Sequence, residues 1–347
     1  MTAPPGPPTQ PLPARGPLRV LPLDGIGEVR PGDDLARLLA DGLQDGLQEG
    51  LLDGDVLVVT SKVVSKAEGQ AVVGSRQDAL AGETDRVVAR RGGTSIVRTH
   101  HGLVLAAAGI DASNVEAGTA LLLPRDPDSS ARALREALLG LTGRNTAVVV
   151  SDTAGRAWRH GQTDIAIGVA GLEPLHDHAG LLDPYGNELA VTAPAIADEV
   201  AAAADLVTGK LSRRPAAVVR GLTGLVLPAG RHGPGAAALV RGELQDMFGL
   251  GAREAVLEAL TAPGARDPRG FGAPAGREEL VRRLTELGGS ACEVRPAADP
   301  AVVEVRVSGT ERERGAAHVR LDATAYALGW SAAPSPADVL RFLRIAP

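Results

Sequence analysis

Asn145–Gly171 reads NTAVVVSDTAGRAWRHGQTDIAIGVAG. An apolar run reaches Ser151 and then gives way at once to Asp152, Thr153, Arg156, Trp158, Arg159, His160, Gln162 and Asp164. A buried strand gains nothing from so many polar groups, whereas a strand that delivers them to a ligand does. Open α/β sheets collect their ligands at strand ends. The same transition recurs. GDVLVVTSKVVSKAEG (Gly54–Gly69) is a buried strand followed by a polar turn, and GLVLAAAGIDASNV (Gly102–Val115) is apolar and then abruptly polar. The expected fold is mixed α/β, with strands ending in short polar clusters.

Outward from that centre, LRVLPLDGIGEV (Leu18–Val29) reads as a strand and loop, and PAAVVRGL as a further strand. GDDLARLLADGL and SARALREALLGLTG repeat apolar residues at helical spacing, the second closed by glycine. Thr192–Lys210 predicts a long Ala-rich helix. The composition changes near Phe248. GAREAVLEAL and EELVRRLTELGG predict helices around a Gly/Pro/Arg linker, ACEVRPAADPAVVEVRVSG two strands, and HVRLDATAYALGW and ADVLRFLRIA further helices. The expected organisation is a disordered proline-rich tail over 1–17, a main domain over 18–249 and a small α+β module over 250–347. No internal sequence repeat is evident.

The 347 residues carry a net charge of −6 and one cysteine, Cys292. The acidic balance argues against non-specific binding to nucleic acid, which needs a basic face. A lone cysteine excludes an internal disulfide and a cysteine-rich zinc site, and fits a reducing cytoplasm; its ordinary role is a small buried hydrophobe. No run reaches the ~18 apolar residues of a membrane span. The first residues lack the apolar core of a signal peptide.

TSKVVSK places Ser61, Lys62, Ser65 and Lys66 just beyond a strand, where ammonium groups and hydroxyls suit a phosphate. A solvated turn is the alternative. There is no Walker A sequence, so a nucleotide site here is not a P-loop. Asp111, Asp152 and Thr153 offer the hard oxygens preferred by magnesium or manganese; equally, each Asp could cap the next helix. Trp158 could stack on a planar ring or fill the core. His160 could act as a base or be an exposed structural residue. His176 and His178 lack a third ligand at helical spacing. DPYGNEL (Asp183–Leu189) is a tight turn or a ligand-facing tip carrying Tyr185, Asn187 and Glu188.

Taken in order, GDVLVVTSKVVSKAEG, AAAGIDASNV, SDTAGRAWRHGQTDIAIG, DPYGNEL, ADEVAAAADLVTGK and AVVRG resemble the coenzyme F-420-0: L-glutamate γ-glutamyl ligases. The similarity extends over roughly Leu18 to Leu250, and is to the ligase half of the actinobacterial form in particular. That form continues into a flavin-binding nitroreductase-like domain. The resemblance implies a homodimeric enzyme with a family-specific α/β fold. It implies that GTP phosphorylates the terminal carboxylate of F-420-0 and that the amine of L-glutamate displaces the phosphate. Two divalent ions, Mg2+ or Mn2+, and K+ would assist.

Carried onto this chain, the resemblance places the GTP loop on Ile26, Gly27, Glu28 and Val29, with further nucleotide contacts from Ser61, Lys66 and Asn114. The metal ligands fall on Asp111, Asp152 and Thr153. Lys66, Asp152 and His160 are the expected catalytic groups, with Glu188 a second candidate base. Lys210 stands where archaeal members carry a Gln or Glu ligand, and a protonated lysine cannot bind a metal. The C-terminal module is too short for a nitroreductase domain, so no FMN is expected. The competing expectations are a deazaflavin- or nucleotide-binding protein without turnover, and a metal-dependent nucleotide hydrolase.

Overall fold

The computed structural model describes residues 17–112, 118–242, 245–261, 271–336 and 338–345. The proline-rich tail over 1–16 and the expected nucleotide contact Asn114 lie outside the described residues. Two compact units make up the chain: one runs up to Val87 and from Gly92 to Val240, the other comprises Val88–Arg91 and the chain from Arg241 onward.

In the first unit the elements are, in order, β1 (Arg19–Leu23), α1 (Leu35–Gly46), β2 (Val56–Thr60), α2 (Ser61–Ala67), β3 (Ala71–Val73), α3 (Arg76–Glu83), β4 (Thr84–Arg91, which crosses into the second unit), β5 (Thr94–Thr99), β6 (Val104–Ala106), β7 (Thr119–Leu121), α4 (Pro127–Thr142), β8 (Ala147–Gly155), β9 (Gln162–Ala170), α5 (Ile196–Thr208) and β10 (Ala216–Arg220). The central sheet has the order β1-β10-β2-β8-β9. Only β2 and β8 run parallel.

Strand alternation divides the core into two layers. Leu57, Val59, Val148, Val150 and Val218 pack with Leu39 and Leu43 of α1 and Leu134 and Leu138 of α4. Val56, Val58, Val149 and Val219 pack with Ala197, Val200, Ala201 and Ala204 of α5. The small face of α5 explains its alanine run: helix and sheet approach closely where side chains are short. Helix ends follow their capping chemistry. Asp126 accepts from the Ser129 amide at 2.9 Å, Pro127 opens α4, and Gly143 closes it in the left-handed conformation, φ 69°. Gly168 on β9 has no room for a side chain, since a Cβ there would lie 2.2 Å from the Pro127 carbonyl oxygen.

The second unit adds α6 (Ala252–Thr261), α7 (Arg277–Gly288), β11 (Cys292–Pro296), β12 (Val302–Val307), α8 (Glu311–Ala327), β13 (Trp330–Ala333) and β14 (Val339–Arg344). Its antiparallel sheet has the order β11-β12-β14-β13, packed through Val303, Val305, Trp330 and Phe342 on Leu280, Leu284 and Leu321 of the helices. A helix followed by a strand pair occurs twice, a recurrence of elements without a recurrence of sequence.

Four local readings change. Ser61–Ala67 is a helix, not a turn. The strand expected to end at Ser151 continues to Gly155, because β9 pairs with it residue by residue out to Gln162. Within ADVLRFLRIA, Val339–Arg344 is a strand, not a helix: β14 lies between β12 and β13, and its buried Phe342 faces the core. Just before the strand, the Ser335 hydroxyl donates to the Val339 carbonyl at 2.6 Å. Cys292 is half-buried and free, and burial raises its thiol pKa.

Candidate active site

Because β2 and β8 run parallel with Thr60 opposite Ser151, both strands deliver their next residues to one end of the sheet. Ser61 opens α2 there, and its hydroxyl donates to Asp152 Oδ1 at 3.0 Å. Across the β8–β9 pair, Asp164 is buried and accepts from the Ser151 hydroxyl at 2.9 Å and the Thr153 hydroxyl at 2.8 Å. Ser151 and Thr153 point to one side of the strand, and Asp152 to the other.

Asp111 arrives from a third direction. Ala107, Ala108 and Gly109 all take positive φ, at 48°, 56° and 70°. Two alanines in that region cost roughly 1–2 kcal/mol each, strain of the kind that gathers at functional sites. Asp111 then pairs with Leu121 in a β-bridge and forms an ion pair with Lys62 at 2.7 Å. Asp152 lies inside β8 and caps no helix, so the capping alternative does not hold for it. On the next turn of α2, the half-buried Lys66 forms an ion pair with Glu28, which anchors the Ile26–Val29 loop to α2.

The electrostatics agree with that clustering. Burial raises Asp152 to about 6, opposed by the Ser61 hydroxyl and reinforced by the negative charges of Asp164 and Asp111. Asp205 of α5 is raised by burial and by Asp164, and lowered by Lys210. Several carboxylates thus share a region in which each disfavours the other's charge, and a cation would relieve that repulsion. Among the described residues no three His, Cys, Asp or Glu side chains form a group that could hold a metal ion. Asp111 and Asp152, which feel each other's charge, nonetheless fit magnesium chemistry, in which one or two carboxylates are completed by phosphate oxygens and water; the Thr153 hydroxyl is on the other side of β8, engaged by Asp164.

The remaining candidates lie on loops. His160 sits in the exposed loop between β8 and β9, where its carbonyl accepts from Arg156 at 3.0 Å. Trp158 fills no core: it is 86% exposed on the same loop. DPYGNEL is a turn closed by Asp183, which accepts from the amides of Tyr185 at 2.9 Å and Asn187 at 2.8 Å, and Glu188 is exposed. The His176 and His178 rings meet edge-on at 4.7 Å. Asp164 and Asp205 belong to the cluster although no role was read for them in the sequence. The alternation of QTDIAIGVA, an edge strand with its polar end inward, is the signal that places Asp164.

The glycine-rich Gly221–Arg241 segment also finds its place. Arg135 is buried, and it donates to the carbonyls of Thr146 and Leu227, both at 2.7 Å, and to Asn145 Oδ1 at 2.9 Å. Asp128 accepts from the amides of Val169 at 2.8 Å and Ala236 at 2.6 Å. The segment is thereby tied to α4 and β9 behind the site.

A family model described as F420-0:Gamma-glutamyl ligase matches residues 25–80 and 75–221. Coenzyme F420:L-glutamate ligase of Methanothermobacter thermautotrophicus is 40% identical over 221 residues, 57% of this chain and 87% of the relative. The proteins of the same name from Archaeoglobus fulgidus and Methanopyrus kandleri are each 39% identical, over 227 and 226 residues, which is 59% of this chain and 88% and 87% of theirs. The matched residues include the whole of the carboxylate cluster.

Proposed function

The chain belongs to the F420-0:gamma-glutamyl ligase family, and from that membership and the geometry around Asp152 we propose that it couples GTP cleavage to the joining of L-glutamate and coenzyme F-420-0. It is a ligase. The observation that supports this reading most is the convergence of Ser61, Asp111 and Asp152 at one end of the sheet, with Lys62 and Lys66 on the adjoining helix.

In the proposed reaction a carboxylate oxygen of F-420-0 attacks the γ-phosphorus of GTP. The bond from phosphorus to the GDP oxygen breaks, leaving an acyl phosphate. The α-amine of L-glutamate then attacks the acyl carbon, an amide forms, and inorganic phosphate departs. Two anions must meet in the first step, so charge neutralisation is the protein's main task. Lys66 exchanges Glu28 for nucleotide phosphate, and Ser61 holds Asp152 in place. Asp111 and Asp152 would hold divalent ions, with Thr153 a further ligand if its hydroxyl leaves Asp164, and such ions would neutralise phosphate charge. His160 is the proposed acceptor of the ammonium proton. K+ as a further ion, a homodimeric assembly and a cytoplasmic setting complete the proposal; FMN has no part in it.

The test is GDP release measured with F-420-0 and L-glutamate each omitted in turn. GDP formation that needs F-420-0 supports the ligase. GTP cleavage at full rate without F-420-0 contradicts it, and indicates a hydrolase in which water takes the acceptor's place.

A further inference from the structure

The loop between β8 and β9 holds a large apolar ring out in solvent, and its backbone is shaped to do so. Trp158 is 86% exposed. It takes φ 65°, a region that bulky side chains seldom enter. The loop is braced: Arg156 donates to the His160 carbonyl at 3.0 Å, and Gly161 turns the chain into β9 with φ 84°. The chain has only two tryptophans, and the other, Trp330, is fully buried with its indole N–H on the Ala275 carbonyl at 3.0 Å.

The loop's position decides what the ring meets. Its strands carry Asp152 and Thr153 on β8 and Asp164 on β9. Trp158 is at most ~17 Å of extended chain beyond Thr153. In the sheet order, α2 follows β2 on one side of β8, and the β8–β9 loop lies toward the other edge. Lys62 and Lys66 belong to the α2 side. The loop side offers an aromatic face with two further cations, Arg156 and Arg159, in the same loop. A planar ring bearing an anionic arm matches that pairing of π-face and guanidinium. Its carboxylate must reach the Asp152 end while its ring lies farther out.

We propose that Trp158 is a specificity-determining residue that stacks on the planar deazaflavin ring of the acceptor, and not on the guanine of the nucleotide. This rests on the ligase reading above.

The experiment uses the full chain. Tryptophan emission is titrated with F-420-0 and separately with GTP, with free N-acetyltryptophanamide under the same additions to correct for absorbed light. Energy transfer from Trp330 to a bound deazaflavin persists without Trp158, so the difference in quenching between wild type and Trp158→Ala reports Trp158. The expected result is saturable quenching by F-420-0, none by GTP, and a clearly smaller quenching by F-420-0 in Trp158→Ala. In steady-state assays Trp158→Ala raises KM for F-420-0 about tenfold, as loss of one aromatic stack predicts. KM for GTP and kcat stay within about twofold, and Trp158→Phe recovers most of the loss. An unchanged KM for F-420-0 in Trp158→Ala, or quenching by GTP instead, overturns the assignment. Where Trp158→Ala folds poorly, Trp158→Phe serves as the reference protein, since it too leaves Trp330 as the one emitting tryptophan. Absence of any glutamyl product from wild-type protein is a separate outcome: it overturns the ligase reading, while the titration still reports whether the ring stacks.

Discussion

At the residue scale, the site is an arrangement of like charges held by hydroxyls. Asp152 lies against the Ser61 hydroxyl and within the field of Asp164 and Asp111. Asp152→Ala removes a charge that the fold tolerates at a cost, so it is expected to abolish ligation while far-ultraviolet circular dichroism and the melting temperature are retained. Full ligation by that variant contradicts the assignment. Glu28 competes with phosphate for Lys66. Such a partly exposed pair is worth ~1 kcal/mol or less. Glu28→Gln is therefore expected to lower KM for GTP by up to about fivefold without altering KM for F-420-0, whereas Lys66→Ala raises KM for GTP. Initial rates over a GTP series separate the two. Ser61, Lys66, Asp111, Asp152 and Thr153 were legible in the sequence because each follows an apolar strand or run abruptly. Asp164 was visible without a role: its partners, Ser151 and Thr153, are set by cross-strand register, which motif spacing does not contain.

At the scale of elements, α4 connects the site to the segment behind it. The Ser129 amide and hydroxyl lower the pKa of Asp126, the carboxylate that caps the helix. A lowered folded-state pKa means that the cap stabilises above the unfolded value of ~3.9 and that this contribution disappears as pH falls through the folded value. Asp126→Ala is expected to cost about 1 kcal/mol at neutral pH, and the difference from wild type should vanish in strong acid; urea melts at the two pH values read both. Arg135 carries more. Its removal leaves the carbonyls of Thr146 and Leu227 without their donor, so Arg135→Leu should destabilise the protein by about 3 kcal/mol in the same melts. Long amphipathic helices such as α1 and α4 were legible from period alone. VLRFLR was not: so short a run fits a helix or a strand, and only its place between β12 and β13 decides. Ser61–Ala67 misleads in the opposite sense, since polar residues at a strand end suggest a turn whether or not a helix begins there.

At the scale of the whole molecule, the two units have separate cores. Leu57, Val148 and Val218 belong to one; Leu280, Leu321 and Phe342 to the other. Leu321 is fully buried in the second, and Leu321→Ala is expected to cost roughly 2–5 kcal/mol there. Calorimetry should show that loss in one transition only, with the other, the one that tracks ligase activity, unmoved. The composition changes near Phe248, whereas the second unit takes in the chain from Arg241 and also Val88–Arg91, a long-range assignment that local sequence does not encode. The family match ends at residue 221, so the chemistry is assigned to the first unit. The measurement that tests it most directly is mass spectrometry of purified protein incubated with F-420-0, L-glutamate, GTP and manganese, with GTP omitted in a parallel reaction. A GTP-dependent series of products, each heavier by one glutamyl residue, is the expected result. F-420-0 of unchanged mass in both reactions, with the protein folded, would contradict the assignment of a GTP-dependent ligase.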